Sequence, residues 1–177
     1  MKVLITAFTP FNKMPNNYSN EVLKYIQGVD KIILDVVYDE SFEKLNMAFN
    51  LAEYDLLISM GEARMRKELT IEKRAVNLSS CSLADNSGVI KKDELIVLNS
   101  DEYLYTKLPI DNCGIEISND AGRFVCNNIY YHLLFNYPEK SLFIHIPECL
   151  NDEVKYREYA EKIEKLILYL GEKLWNI

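Results

Sequence analysis

Four short apolar runs, Val3–Ala7, Lys31–Val37, Asp55–Met60 and Leu142–Ile146, have the length and residue types of buried β-strands. Between several of them the apolar positions recur every three or four residues, the period of a helix with one buried face. Ser19 is placed to cap a helix that ends near Gly28, and Asp39 to cap a second that buries Phe42, Leu45, Phe49 and Ala52. A third helix is expected to start within Asn119-Asp120-Ala121-Gly122 and to bury Val125, Ile129 and Leu133. The last, Glu153 to about Trp175, carries Tyr156, Tyr159, Ile163, Leu166, Ile167, Leu170 and Leu174 on one face. Strands alternating with crossover helices predict an α/β fold, a three-layer sandwich around a mostly parallel, twisted sheet.

From Ile71 to about Ile110 the period changes to alternation around the turn Asp85-Asn86-Ser87-Gly88, which predicts a β-rich excursion instead of another βα unit. No linker, repeat or low-complexity tract interrupts the chain, so residues 1–177 read as a single domain. Its 177 residues, 49% hydrophobic and 27% charged, suit one domain with a substantial core.

A formal net charge of −7 without a Lys/Arg cluster argues against nucleic acid or an anionic membrane as partner and favours a small or neutral ligand. The opening Met1–Ala7 lacks the apolar core of a signal peptide, and no apolar run approaches the ~20 residues of a membrane span. A cytoplasmic location is the expectation. Cys81, Cys113, Cys126 and Cys149 are scattered without a C-x-x-C pair, and there are two histidines, so no metal site is expected and the cysteines read as thiols.

Ligands of open parallel sheets bind at the carboxyl ends of the strands. Three polar stretches fall there: Gly61-Glu62-Ala63-Arg64, the turn into Cys126, and His145. Cys126 lies in the first turn of a predicted helix, where free backbone N–H groups and the helix dipole favour a thiolate. The residues alone leave Cys126 open to two readings, a nucleophile or a small buried hydrophobe beside Val125. His145 is likewise open to a catalytic or a structural reading; Pro147 interrupts its run and sets the imidazole near the carboxyl end of the strand. A nucleophilic thiol needs a base, and the base a carboxylate to orient it, which spacing by itself does not single out.

Three islands carry a family resemblance: Ile71-Glu72-Lys73-Arg74-Ala75-Val76-Asn77, Gly122-Arg123-Phe124-Val125-Cys126-Asn127 and Phe143-Ile144-His145-Ile146-Pro147. They resemble, in order, the Glu, Cys and His motifs of the pyroglutamyl peptidases. The opening Leu4–Phe11 with Asn17 and Ser19 is similar to the family's first strand and substrate loop. Val36-Val37, Arg66, Asp85-Asn86 and Leu108-Pro109-Ile110 extend the similarity over nearly the whole chain. The resemblance implies a phosphorylase/hydrolase-like sandwich and a cysteine peptidase acting on peptides with an N-terminal pyroglutamate. It further implies Cys126 as nucleophile, His145 as general base and acid, Glu72 as the residue orienting the imidazole, and no metal or organic cofactor. Phe8, Phe11, Phe124 and Val125 are implied as walls of an apolar pocket, Asn17 as a residue ordering the loop, and Arg66 with backbone N–H groups as oxyanion donors. Phe124 is equally open to a packing role.

The pattern also departs from the family. Ala7 stands where a strand-end glycine is usual and Asn12-Lys13 where a Gly-Gly pair is usual, although glycine alone reaches φ > 0 cheaply. Asp111–Glu116 replaces what is normally a helix, a loss expected to expose one face of the sheet edge or to force an antiparallel arrangement there. Formation of a homo-oligomer is left open, because either change bears on the family's usual self-association. Glu62, Arg64 and Met65 place charge beside a pocket for a neutral ring. These departures sustain an alternative, a non-catalytic or altered-specificity homologue binding a small amide or peptide. A phosphate-binding protein is disfavoured because Gly61-Glu62-Ala63-Arg64 is no glycine-rich cradle.

Overall fold

The computed structural model describes residues 1–175. In chain order the elements are β1 (Val3–Phe8), α1 (Tyr18–Leu23), β2 (Asp30–Leu34), α2 (Glu40–Ala48), β3 (Leu56–Glu62), β4 (Thr70–Glu72) and β5 (Arg74–Val76). There follow β6 (Tyr103–Tyr105), β7 (Glu116–Ser118), α3 (Val125–Asn136), β8 (Ser141–Ile146) and α4 (Glu153–Trp175). Six strands form one sheet in the order β2-β1-β3-β8-β4-β7. The first four run parallel, β4 joins β8 antiparallel, and β7 pairs parallel with β4. β5 and β6 make a separate antiparallel pair.

Strand alternation divides the core into two layers. Val3, Ile5, Ile58 and Ile144 point to one face and meet Val22 of α1 and Ile163, Leu166 and Leu170 of α4. Leu4, Phe8, Leu57 and Phe143 point to the other and meet Leu45 of α2 and Ile129 and Leu133 of α3. Burial on both faces is why the central strands read as unbroken apolar runs. Each fully buried Leu, Ile or Phe side chain contributes about 1.5–3 kcal/mol, so this doubled layer is the main source of stability.

Several boundaries differ from the sequence expectation, each for a local reason. Asn17, not Ser19, caps α1: its Oδ1 accepts from the Ser19 backbone N–H (3.1 Å) and hydroxyl (2.7 Å), while Ser19 Oγ accepts from Phe8 N–H (3.2 Å). That helix stops at Leu23 instead of near Gly28. β2 ends at Leu34 because the next residues are diverted, Ser41 Oγ donating to the Asp35 carbonyl (2.8 Å) and Asn86 N–H to that of Val36 (2.8 Å). Asp39 precedes α2 without a side-chain cap bond, since its carboxylate is engaged by Lys91 (2.5 Å) and Asn128 (2.8 Å). Helix α2 ends at Ala48, and in the short 3-10 turn that follows Leu51 takes the buried place expected of Ala52, which is exposed. α3 begins at Val125, after a turn in which Asp120 Oδ1 accepts from Gly122 N–H (3.0 Å). The β8 ladder continues through Ile146 despite Pro147, so His145 sits within the strand and on the same face as Phe143.

The segment from Asp111 to Glu116 contains no helix, as the sequence indicates. Of the two consequences expected at this edge, neither is seen: β7, the strand that follows the segment, pairs parallel with β4, and the antiparallel pairing lies one strand further in, between β4 and β8. The face there is covered, because Leu108, Ile110 and Ile117 lie in the same apolar layer as α4, and Tyr169 donates to the Asp111 carbonyl (2.6 Å).

Asn12 and Lys13 adopt φ of 50° and 59°, and Met14 N–H donates to the Phe11 carbonyl (3.0 Å). The loop thus keeps a turn with two left-handed central residues without using glycine. Asparagine tolerates that region, but lysine is strained there by about 1–2 kcal/mol. Lys13→Gly relieves the strain and loses some to chain entropy, so it is expected to raise stability by about 0.5–1 kcal/mol in urea denaturation. A loss of stability would show that Lys13 is not held in the left-handed region.

Candidate active site

The β4–β8 register builds the polar centre. Ile71 lies opposite Ile144 and Glu72 opposite Phe143. Alternation sends the two isoleucines toward α1 and α4 and turns Glu72 and His145 to the α3 face as diagonal neighbours. There His145 Nδ1 lies 2.7 Å from Glu72 Oε1, with the two residues 5% and 0% exposed. A carboxylate only accepts, so Nδ1 carries the proton and Nε2 keeps its lone pair. Arg66 approaches the same Oε1 at 2.6 Å and also donates to Thr70 Oγ1 (2.5 Å) and the Asp120 carbonyl (2.7 Å). The Tyr130 hydroxyl donates to the Glu72 backbone carbonyl (2.7 Å), fixing β4 to α3.

Cys126 is the second residue of α3, whose start has no side-chain cap. Asn127 pins this helix end to β5, accepting from Val76 N–H (2.9 Å) and donating to the carbonyls of Val76 (2.8 Å) and Leu78 (3.1 Å). The thiol then lies against Gly61 of β3, which is in register with His145. A Cβ on Gly61 would stand 2.5 Å from Cys126 Sγ and 2.8 Å from Phe143 Cζ, so only glycine admits the sulfur there. Nothing singled Gly61 out beforehand beyond its place in a polar stretch; the available signal was a glycine inside an otherwise large-residue strand, which marks a close approach.

Electrostatics in the folded chain opposes the helix end's tendency to favour a thiolate. Burial, followed by the carboxylates of Glu72 and Glu62, pushes the Cys126 thiol up to about 12. Burial also lowers the His145 imidazole from its usual 6.5, outweighing the opposing bond to Glu72. Both partners therefore rest neutral near pH 7.

Cys126 and His145 open into one cavity of about 120 Å³. Phe8, Phe11, Asn17, Phe124 and Val125, all anticipated from the sequence, line it. Phe124 also packs, its ring 5.9 Å from that of Phe11 and edge-on to Tyr38 at 5.4 Å. Asn17 donates to the Thr9 carbonyl (3.1 Å) while capping α1, so it ties down the loop bearing Phe11. Arg66 and Glu72 are not among the residues lining the cavity, and the Arg66 guanidinium is engaged by Glu72. Val36, Glu62 and Ala121 line the cavity and were not anticipated as walls.

The charge feared beside a neutral ring is largely compensated. Glu62 accepts from Arg64 Nε (2.6 Å) and Tyr18 N–H (2.9 Å), and the Arg64 guanidinium lies 4.6 Å from the Tyr18 ring centroid. Met65 is 97% exposed and takes no part.

Fold and cavity define an α/β domain with a mostly parallel sheet, in which Cys126 and His145 line one cavity and His145 is bonded to buried Glu72. Residues 1–160 match the model of the family described as pyroglutamyl peptidase, and the chain belongs to that family of hydrolases. It is 34% identical to a pyrrolidone-carboxylate peptidase of Brachyspira hyodysenteriae over 83% of each chain. With one from Thermosipho africanus the identity is 35%, over 83% of this chain and 82% of the relative. Among solved structures, a mutant pyrrolidone carboxyl peptidase of Pyrococcus furiosus superposes with a TM-score of 0.86 at 27% identity, covering 98% of this chain and 100% of that one. Pyroglutamyl peptidase I of Bacillus amyloliquefaciens gives 0.83 at 26%, covering 93% and 92%.

Gly61→Ala is expected to cost about 1–3 kcal/mol in urea unfolding through overpacking. Much of that cost should vanish in a Cys126→Ala background, a coupling of at least about 0.5 kcal/mol in a double-mutant cycle. Strict additivity would mean that the sulfur does not rest on Gly61.

Proposed function

We propose that this protein is a cysteine peptidase that hydrolyses the amide bond following an N-terminal pyroglutamyl residue. Cys126 acts as nucleophile, His145 as general base and then acid, and Glu72 holds the imidazole. The observation that carries the reading is that Cys126 and His145 open into one cavity while His145 is tied to buried Glu72 at 2.7 Å. The names of its relatives, pyrrolidone-carboxylate peptidases, supply the substrate class.

A pyroglutamyl ring is flat and uncharged, and Phe8, Phe11, Phe124 and Val125 offer it apolar walls. A cavity of about 120 Å³ is far below the ~300–1,000 Å³ of sites for drug-sized ligands, which suits a single small ring. Because the thiol rests protonated, attack requires transfer of its proton to Nε2 of His145 as the C–S bond forms. Backbone N–H groups at the uncapped start of α3 stabilise the oxyanion. The imidazolium then protonates the departing amine, and His145 deprotonates a water that cleaves the thioester and releases pyroglutamate. Arg66 acts as a positioning residue by fixing the carboxylate that orients the base.

The test is release of the fluorophore from a pyroglutamyl amide. Cys126→Ser should lower kcat by at least about 10³-fold and Glu72→Gln by roughly 10²–10⁴-fold, with folding confirmed by circular dichroism. No turnover by folded wild-type protein, or full activity of Cys126→Ser, would overturn the assignment.

The pH profile gives a separate check. A general base whose pKa is lowered stays neutral in more acidic solution, so the acid limb of kcat/KM should fall below pH 6.5. The same shift makes the unfolded state bind more protons between the lowered value and 6.5, so stability should decline as pH falls through that window. An acid limb above 6.5 would contradict a buried, neutral His145.

A further inference from the structure

Beside the catalytic cavity lies a second pocket of about 230 Å³, and Ala121 lines both. The first is small and closed in by aromatic rings, so the part of a substrate beyond the scissile bond has to leave it, and the neighbouring pocket adjoins it at Ala121. Arg74, Tyr103, Asn119, Asp120 and Arg123 also line this second pocket.

Its chemistry differs from that of the protein as a whole, which carries a formal net charge of −7. Two guanidinium groups face one carboxylate, and that carboxylate, Asp120, already accepts the Gly122 N–H (3.0 Å) within its own turn. Arg74 is held in place: its Nε donates to the Asn119 carbonyl (2.8 Å) and its guanidinium lies 4.1 Å from the Tyr103 ring centroid. Arg123 sits three residues before Cys126. The Asp120 carbonyl accepts from Arg66, so the wall of this pocket is continuous with the frame that holds Glu72.

On the basis of the functional reading above, we infer that this second pocket receives the leaving group and selects one bearing a carboxylate. That carboxylate is either the free C-terminus of a pyroglutamyl dipeptide or the side chain of an acidic residue following pyroglutamate. Arg74 and Arg123 would pair with it, arginine being suited to planar, two-point recognition of carboxylate.

The experiment compares kcat/KM for pyroglutamyl-alanine as free acid and as C-terminal amide, and for pyroglutamyl-aspartyl-amide and pyroglutamyl-lysyl-amide, by chromatography of released pyroglutamate. The free acid should be favoured over its amide if the C-terminus is recognised, and the aspartyl over the lysyl amide if the side chain is. Partly exposed ion pairs of this kind set the expected preference at about three- to tenfold, shrinking at high salt. In Arg74→Gln and Arg123→Gln the preference should fall toward unity while hydrolysis of the neutral alanyl amide is retained, and Arg74→Lys should restore part of it. Wild-type protein that hydrolyses the neutral amide but shows neither preference overturns this inference and leaves the functional reading standing. So does an equal loss on charged and neutral substrates in both glutamine variants. If the neutral amide is not hydrolysed at all, both readings fall.

Discussion

The structure depends on one buried polar contact, the bond from His145 Nδ1 to Glu72 Oε1 with Arg66 behind it. Removing a carboxylate from water costs several kcal/mol, which attraction to a cation and well-formed hydrogen bonds have to offset. Here the guanidinium and the imidazole converge on one oxygen, and the guanidinium is itself held by Thr70 and the Asp120 carbonyl. The arrangement also fixes the tautomer, and the tautomer decides which ring nitrogen can take a proton. Orientation of the base and the balance of charge in the core are therefore one constraint.

The antiparallel insertion of β4 beside β8 makes that contact achievable. In an otherwise parallel sheet, this strand brings Glu72 diagonally to His145 on the face covered by α3. The same face holds Gly61, whose missing side chain leaves the space that the sulfur occupies. Asn127 and Tyr130 then fasten α3 to the excursion strands, so three distant segments are held in a common frame.

The enclosure that shapes an apolar cavity also suppresses ionisation. Burial pushes thiol and imidazole toward their neutral forms, in opposite directions on the pKa scale. A site of this kind exchanges a ready-made thiolate for a proton transfer made when substrate is bound, and the helix end contributes where negative charge develops. The Glu62–Arg64 pair likewise brings a carboxylate to the cavity together with its counter-ion.

The long elements were legible in the sequence because their periods are set by local geometry. β1, β3 and β8 follow from short unbroken apolar runs, and the seven-residue apolar face of α4 from helical spacing. Strands of three residues, β4 to β7, are too short to show a period; the β-rich character of residues 71–110 was visible and takes in β4 to β6, whereas β7 lies beyond it. Cys126, His145 and Glu72 were marked out together by family resemblance, since no spacing rule links residues 54 and 19 positions apart. Tertiary structure alone decided that Arg66 supports Glu72 instead of facing the cavity, that Gly61 makes room for the thiol, and that Arg64 neutralises Glu62. Each of these outcomes depends on strand register and on through-space electrostatics, which act between segments that the linear order keeps apart.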